Sequence, residues 1–252
     1  MTRAQSSRVA LPTAVLVALT AAWEVLGRAR AASGTPLPSE VLVSLFREPG
    51  FYAHHAALTG AVAVGGLSLA VALGLVAAAG FSVWSRFRQA LFPIVVLSQT
   101  VPLIAIAPLL ASLIGDGAAS RVLVTSWLCW FPVVVVATHG LMNVDSRLLA
   151  LFEGLGADRG DIFWKLRAPS AAPSIVASVR AAAGFALIGA IVSEYSGTRE
   201  GLGGFLMAEV IRPTNAVHVF GVMLVASIGG LALTEGAHGL ARRALRRYLP
   251  RP

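Results

Sequence analysis

Few residues in this chain have the type and spacing that catalysis requires. No two of the five histidines lie one helical turn apart with a carboxylate between them, as in a zinc protease helix; they are His54, His55, His139, His218 and His238. The sequence has no Gly-x-x-x-x-Gly-Lys-Ser/Thr phosphate loop, and no convincing Ser/His, Asp/Asp or His/Glu set. We therefore expect no catalytic residues, no metal site and no cofactor bound by this chain, which argues against an enzyme.

Two ionisable residues, Arg180 and Glu194, lie in an otherwise apolar stretch. The separation of fourteen positions corresponds to about 21 Å along a helix, so the two side chains cannot pair within one straight helix. Ionisable groups at membrane depth are costly and usually face protein or a cavity. For Glu194 two roles stay open: contact with a solute path or outer gate, or a structural partner such as a buried hydroxyl or a backbone amide.

The composition excludes a soluble globular protein. Of the 252 residues, 56% are hydrophobic and 13% are charged, and the mean hydropathy is +0.77, whereas soluble domains carry about 25% charged residues. The net charge of +8 does not indicate nucleic-acid binding, because no basic run is interleaved with aromatic residues that could stack on bases. We expect no nucleic-acid partner and extensive contact with membrane lipid.

The apolar blocks have the length of membrane-spanning helices. Such a helix needs about 20 mostly apolar residues, and six segments qualify: about 9–26, 56–80, 88–116, 121–145, 173–196 and 212–235. The sequence therefore predicts an all-α, polytopic membrane protein with about six transmembrane helices. We expect one transmembrane domain over residues 1–252, with a core at roughly 56–240 and a cytoplasmic loop of short helices at roughly 143–172.

The distribution of Lys and Arg orients the spans. Thirteen of them lie in the strips 1–8, 82–89, 143–172 and 241–252, and six lie in the alternate strips, at Arg28, Arg30, Arg47, Arg121, Arg199 and Arg212. Short loops rich in Lys and Arg stay in the cytoplasm. This bias predicts that both termini and the 143–172 loop are cytoplasmic.

Three prolines, Pro93, Pro102 and Pro108, interrupt the third segment. Proline removes a helix hydrogen bond and kinks or breaks the helix. Freed backbone groups at membrane depth are tolerated only inside protein or beside a water-filled path. We therefore predict that this segment contributes to a translocation path or gate, together with the Glu194 carboxylate. The residues predicted to form it are Ser98, Gln99, Thr100, Pro102 and Glu194.

Three shorter features are predicted on the outer side. The stretch Ser39–Phe46 reads as an amphipathic helix along the outer interface, with Ser39 as its N-cap. We expect His54 and His55 at the interface, at the outer end of the second span. Gly201-Leu202-Gly203-Gly204 lacks the third glycine and the preceding strand of a dinucleotide fingerprint, so we interpret it as a flexible outer turn.

The longest inner connection carries more apolar surface than a solvated loop needs. Its apolar side chains are Phe152, Leu155, Ile162, Phe163, Trp164 and Leu166. The pattern predicts two short amphipathic helices, broken at Gly156 and again at Pro169. Apolar surface presented to the cytosol by a membrane protein indicates a docked partner.

This stretch resembles the EAA loop of bacterial ABC-importer permeases, whose pattern is Glu-Ala-Ala, three residues, Gly, nine residues, Ile, one residue and Leu-Pro. Gly156, Leu166 and Pro169 take the Gly, Ile and Pro positions at the right spacing, while Ala150-Leu151-Phe152 replaces Glu-Ala-Ala and Ala168 replaces the Leu. The resemblance implies a loop that couples transport to an ATPase, made by Glu153, Gly156, Ala157, Phe163, Leu166 and Pro169.

The resemblance extends over roughly residues 37–245, to the nitrate, sulfonate, taurine and pyrimidine-precursor branch of these permeases. It includes Leu37-Pro38-Ser39, the stretch Val101–Leu110, and Val192-Ser193-Glu194 leading to Gly201-Leu202-Gly203. It implies a permease subunit in the bacterial inner membrane, working as a dimer, expected to be of this same chain. The partners would be a dimer of ABC ATPase subunits, which hold the ATP and Mg, and an extracytoplasmic substrate-binding protein.

Two other functions compete with this one. A secondary carrier usually has interrupted helices in matching positions of two repeats, and no second proline-broken span matches the third. An intramembrane enzyme would need a catalytic set that the sequence lacks. For the permease, a small heterocyclic vitamin precursor is favoured narrowly over a sulfonate, on the Gln99–Leu110 stretch.

Overall fold

The computed structural model describes residues 3–29, 35–195 and 197–249, and within these ranges all regular structure is helical. In chain order the helices are α1 Arg3–Ala29, α2 Pro38–Arg47, α3 Pro49–Val83, α4 Ser85–Ser98, α5 Leu103–Ile114, α6 Ala118–Met142, α7 Ser146–Gly154, α8 Arg159–Ile162, a π-helical turn Phe163–Arg167, α9 Ala168–Ser170, α10 Ala172–Glu194, α11 Gly201–Ile211 and α12 Ala216–Ala244.

Five of the described helices are long and apolar enough to cross a membrane: α1 over Ala10–Ala29, α3, α6, α10 and α12. Helices α4 and α5 pass the same test only as a pair, bent by 100° at the 99–102 break. The predicted all-α polytopic fold is confirmed.

The bent pair runs from one end of the bundle to the other. Arg88, near the start of α4, contacts Met142 at the C-terminal end of α6 at 2.7 Å. Asp116, which follows α5, pairs at 3.3 Å with Arg121 in the first turn of α6. With 25 residues, α6 is about 37 Å long. A re-entrant loop would return to its starting side, so α4 and α5 together form one broken span, the sixth candidate span in the described part of the chain.

Helices α3, α6 and α10 form the centre of the bundle. Their buried contacts are made largely by small side chains, such as Ala63, Cys129 and Ala186. A methyl group on Gly66 would collide with Thr125, and one on Gly74 would lie 2.7 Å from Val133. Helices pack closely in lipid where small residues face each other, so these two glycines set the distance between α3 and α6.

The helix boundaries differ from the prediction at two places on the second span and its approach. Helix α3 begins at Pro49, seven residues before the predicted start at residue 56, because Pro49 is accepted in a first helical turn. The predicted N-cap Ser39 is wrong: the N-cap of α2 is Leu37, with Pro38 in the first turn. The Ser39 amide and hydroxyl instead donate to Glu24 at 3.1 and 2.8 Å, which attaches α2 to α1.

The bundle has two ends, which are named here by the elements they hold. The loop end holds the C-terminal end of α6, the connection 143–171 and the start of α10. The far end holds the start of α6, the end of α10 and α11. The chain direction of α3, antiparallel to α6, puts Val83 at the loop end and Pro49 at the far end.

Candidate functional site

The connection at the loop end turns at Gly156, as predicted. Helix α7 ends at Gly154, and Gly156 has φ +74°, a left-handed conformation that glycine adopts without steric cost. The Gly156 amide donates to the Glu153 carbonyl at 3.0 Å. The chain re-enters a helix at Arg159, where the Asp158 side chain accepts from the Asp161 amide at 2.7 Å. Gly156 is therefore a true break between two short helices.

The second predicted break, at Pro169, is wrong. The chain stays helical from Arg159 through Ser170, and the interruption falls at Ala171. Proline has no amide hydrogen to donate, and the chain accommodates Pro169 by widening the preceding turn. In this π-helical turn the Ala168 amide donates to the Phe163 carbonyl, five residues back.

The apolar residues of the loop divide into two faces. Leu166 is buried, and half-buried Phe163 packs on a core cluster that includes Ala137 and Leu141. Arg167 donates to the Ser82 carbonyl at the end of α3. Leu166 therefore does not belong to the exposed apolar surface, whereas Phe163 is half-buried and also attaches the loop to the spans.

The outward face of the loop is formed by Leu148, Leu151, Leu155 and Trp164, hereafter the coupling surface. Leu155 is 77% exposed and Trp164 is 73% exposed. Of the other predicted loop residues, Glu153 and Gly156 are exposed, while Ala157 and Pro169 are half-buried. Lys165, also exposed, pairs with Asp161 at 2.5 Å, and the Asp161 carboxylate raises the pKa of the Lys165 ammonium.

A small cavity of about 210 Å³ lies between the 143–171 connection and the end of α3. Its lining includes Ser82, Glu153, Arg159 and Arg167. The loop therefore does not pack against the end of α3 along its whole length.

The predicted path residues of the third segment lie at the break between α4 and α5. Ser98 is buried and its hydroxyl donates to the Val95 carbonyl at 2.7 Å, whereas Gln99, Thr100 and Pro102 are exposed. Pro102 is the N-cap of α5, and its carbonyl accepts from Ala105 at 3.0 Å. The break thus falls where the proline pattern placed it, and the structure brings these four residues together but not with Glu194, which lies at the far end.

Glu194 lies in a closed network that joins three helices. Its side chain is 1% exposed, and its Oε2 accepts from the Thr59 hydroxyl at 3.0 Å and from the Gly203 amide at 2.8 Å. The Thr59 oxygen in turn accepts from the Leu202 amide at 2.7 Å. Glu194 therefore has the buried hydroxyl and backbone amide partners that were expected if its role is structural. We call Glu194, Thr59 and the first turn of α11 the far-end lock.

The far-end lock corrects one expectation and gives a partner to a second predicted residue. Gly201-Leu202-Gly203-Gly204 is not a flexible outer turn: all four residues are buried in the first turn of α11. A methyl group on Gly201 would collide with the Glu194 carboxyl group, so glycine is required there by packing and by its φ of +83°. His55, expected at the outer end of the second span, is buried there, and its Nδ1 donates to the Gly201 carbonyl at 2.9 Å.

The sequence offered no signal for two of the contacts at membrane depth. Thr59 stands in a helix of small residues and nothing marks it as the partner of Glu194. Arg180 pairs with Glu235 on α12 at 2.6 Å, whereas Glu235 was expected only to end the sixth span. Both pairs join positions far apart in the chain, and only packing brings them together. In the described residues no group of three His, Cys, Asp or Glu side chains could hold a metal ion.

Comparison with known proteins agrees with a bundle of membrane-spanning helices. Residues 70–247 match the family described as "Binding-protein-dependent transport system inner membrane component". The chain is 32% identical to the formylaminopyrimidine transport permease protein ThiX of Halalkalibacterium halodurans, over 89% of this chain and 92% of that protein. It is 30% identical to the putative aliphatic sulfonates transport permease protein SsuC of Bacillus subtilis, over 93% and 85%.

A third relative is more distant: the taurine transport system permease protein TauC of Escherichia coli is 26% identical, over 94% of this chain and 90% of that protein. The chain belongs to the family of binding-protein-dependent transport system inner membrane components. It is a multi-pass inner-membrane protein and an ABC-importer permease for a small solute. The predicted branch of the family is confirmed.

Proposed function

We propose that this chain forms the translocation path for a small polar solute, which an external binding protein delivers and an ABC ATPase dimer drives. ATP and Mg are held by the ATPase subunits. A heterocyclic vitamin precursor is favoured over a sulfonate, since the relative with 32% identity is a formylaminopyrimidine permease by name. A sulfonate is the alternative, because SsuC is 30% identical over a similar length.

The coupling surface is the observation that carries this proposal. Leu148, Leu151, Leu155 and Trp164 expose apolar side chains outside the spans, where burial against a partner would stabilise them. The loop that carries them is attached to the spans through Phe163, Leu166 and Arg167. A displacement of this loop by an ATPase therefore acts on the ends of α3 and α6.

Docking of an ATPase at this loop can be tested by substitutions at Gly156. A Cβ at this position would meet nothing within 4 Å in the chain itself, so a side chain can leave the backbone there without a clash and would enter the space that a docked partner would occupy. Replacing glycine at positive φ costs about 1 kcal/mol, too little to unfold the bundle. We expect Gly156→Trp or Gly156→Glu to insert normally and to lose ATPase binding or solute uptake.

Gly154→Glu is the matched control, because Gly154 also has open space around it and has no positive φ. The measurements are membrane insertion, co-purification with the ATPase, and uptake of formylaminopyrimidine and of an alkanesulfonate. Normal insertion, ATPase binding and uptake by both Gly156 variants would contradict docking at this loop. The mass of the purified complex also tests the dimer: one permease chain per complex would contradict it.

The cytoplasmic orientation of the loop and termini is part of the same proposal, and it rests on the distribution of Lys and Arg. Cysteines at Arg159 and Arg199, in a Cys129→Ser background, should react with an impermeant thiol reagent from opposite sides of the membrane. Reaction of both from the same side would overturn the orientation.

A further inference from the structure

An open groove lies at the loop end, between the first half of α4 and the last turns of α6. Deeper in the bundle the two helices meet at Val95 and Val134, which belong to one buried cluster. Toward the loop end they leave a space of about 390 Å³, and Arg88 reaches across it to Met142 at 2.7 Å. A molecule in this groove would therefore contact both helices.

The groove changes from cationic to apolar along its length. Its rim carries Arg88, three residues after the start of α4, and His139, three residues before the end of α6. Its inner walls are Phe92, Pro93 and Val135, about 10–12 Å inside the helix ends. None of the described residues that line it is a carboxylate. The lining thus suits a molecule with an anionic end and an apolar remainder.

Arg88 forms no ion pair within the described part of the chain. Its Nη1 donates to the Met142 sulfur at 2.7 Å and to the Phe81 carbonyl at 3.4 Å. A thioether sulfur is a weak acceptor, and the second contact is long for a hydrogen bond. The forked donors of a guanidinium match a phosphate group, so Arg88 can bind an anion at the rim without losing a strong contact.

The rim lies at the depth of lipid headgroups. Helix α6 has 25 residues and is about 37 Å long, which exceeds the hydrocarbon layer of about 30 Å but not the 40–45 Å or so that includes the headgroups. The end of a spanning α6 therefore lies among the headgroups. Trp84, the N-cap of α4 one turn before Arg88, is 58% exposed, and exposed tryptophan is typical of this interface.

We propose that the α4–α6 groove binds an anionic phospholipid, with its phosphate on the Arg88 guanidinium and the start of an acyl chain between Phe92 and Val135. The groove and a phospholipid have the same order of groups: charge at the membrane surface and hydrocarbon toward the middle. Basic pockets between helices at the cytoplasmic side of a membrane bind anionic headgroups. The bound lipid would hold α4, the first half of the broken span, against α6. The proposal depends neither on the solute nor on ATPase docking.

Lipid binding to the full chain, purified in detergent, is measured by native mass spectrometry. The probes are phosphatidylglycerol and phosphatidylcholine with the same acyl chains. Phosphatidylglycerol should bind at least about fivefold more tightly, because the choline charge opposes binding beside Arg88. It should also raise the midpoint of thermal unfolding more than phosphatidylcholine does. Equal binding of the two lipids would overturn the proposal.

Two arginines on α4 give a matched pair of variants. Arg86 is exposed at the same helix start as Arg88 but does not line the groove. Arg88→Gln should weaken phosphatidylglycerol binding about tenfold, since it removes hydrogen bonds to a charged group, and Arg88→Lys should restore part of it. Arg86→Gln should change binding by less than about twofold, because water screens an exposed charge. Equal losses for Arg86→Gln and Arg88→Gln, or no loss for Arg88→Gln, would contradict a specific site.

The apolar part of the groove is tested by filling it. Val135→Phe should weaken phosphatidylglycerol binding, whereas Val64→Phe, at a valine 51% exposed on α3, should not. The unfolding midpoint without added lipid shows whether each variant is folded, and if Val135→Phe is not, the Arg88 variants decide the question. Undiminished binding by a folded Val135→Phe would overturn the position of the acyl chain.

Other occupants of the groove give distinct results. Excess glycerol phosphate should not displace phosphatidylglycerol, and displacement would reveal a site for a free phosphate ester instead of a lipid. Gln89→Cys, at an exposed residue of the lining, is made in a Cys129→Ser background and oxidised in membranes. It should give no disulfide between two copies. Such a disulfide would overturn the proposal and make the groove a contact between copies of this chain.

Discussion

Two glycines with positive φ mark opposite ends of this molecule, and their surroundings differ completely. Gly201, φ +83°, is packed against the carboxyl group of Glu194 inside the far-end lock. Gly156, φ +74°, has nothing within 4 Å of the position that a Cβ would occupy. Both positions favour glycine for the backbone, but only at the far end does the chain itself fill the space.

This difference separates a region whose polar groups are paired within the chain from a region whose apolar side chains are left exposed. At the far end the Glu194 carboxylate, the Thr59 hydroxyl and two backbone amides satisfy each other without solvent. At the loop end Leu155 and Trp164 are exposed although they are apolar. Substitutions at the far end should therefore act on stability, and substitutions on the coupling surface should act on assembly.

The largest effect is expected from Glu194→Ala. It leaves the Thr59 hydroxyl and the Gly203 amide buried without their acceptor, at about 1–3 kcal/mol for each group. We expect the midpoint of thermal unfolding in detergent to fall by at least about 5 °C. Glu194→Gln should fall less, because its amide oxygen can still accept from Gly203.

Glu200→Ala is the control for this comparison, because Glu200 is exposed six residues further along the chain. Thr59→Val should reproduce part of the loss, since it removes the hydroxyl that bridges Glu194 and Leu202, and Thr59→Ser should restore it. An unfolding midpoint for Glu194→Ala equal to that of Glu200→Ala would show that the far-end lock does not stabilise the bundle.

An intermediate effect is expected within the 143–171 connection, where two adjacent aromatic residues, whose rings touch edge to face, differ in burial. Phe163 packs on the spans, so Phe163→Ala should lower stability by about 1–3 kcal/mol. Trp164 is exposed, so Trp164→Ala should leave the unfolding midpoint nearly unchanged and weaken co-purification with the ATPase. The same result for both variants in both assays would erase the distinction between the inward face and the coupling surface.

The smallest effect is expected from the Lys165–Asp161 pair, whose side chains are 65% and 43% exposed. Exposed ion pairs contribute little because solvent screens them. The Asp161 carboxylate raises the pKa of Lys165 above its ordinary value of 10.5. The contribution of the pair is therefore present below that value and is lost only as the pH rises through the raised pKa.

Lys165→Ala should accordingly show no measurable change in the unfolding midpoint at neutral pH. Arg167→Ala, two residues further along, should lower it, because Arg167 attaches the loop to the Ser82 carbonyl. If Lys165→Ala destabilises the protein as much as Arg167→Ala does, the pair contributes more to the loop than its exposure indicates.

The hydrophobic pattern and the breaker residues predicted the local structure. Long apolar blocks specify helices that cross a membrane, because every backbone group must be paired within the helix in lipid. The proline series located the break at 99–102, and Gly156 located the turn in the loop. The predicted break at Pro169 was wrong because a helix can widen one turn to accommodate a proline instead of ending.

What the sequence determined by itself is thus the set of membrane-spanning segments, the breaks at 99–102 and at Gly156, and the family to which the chain belongs. Only the tertiary structure decided which face of the loop is inward, that Glu194 bonds to Thr59 across 135 positions, and that Arg180 pairs with Glu235 across 55. Helix formation depends on neighbours three and four residues apart, which the sequence shows directly. The direction of a side chain within a bundle of apolar helices depends on distant contacts, and in a helix hydrophobic on every side no periodicity records them.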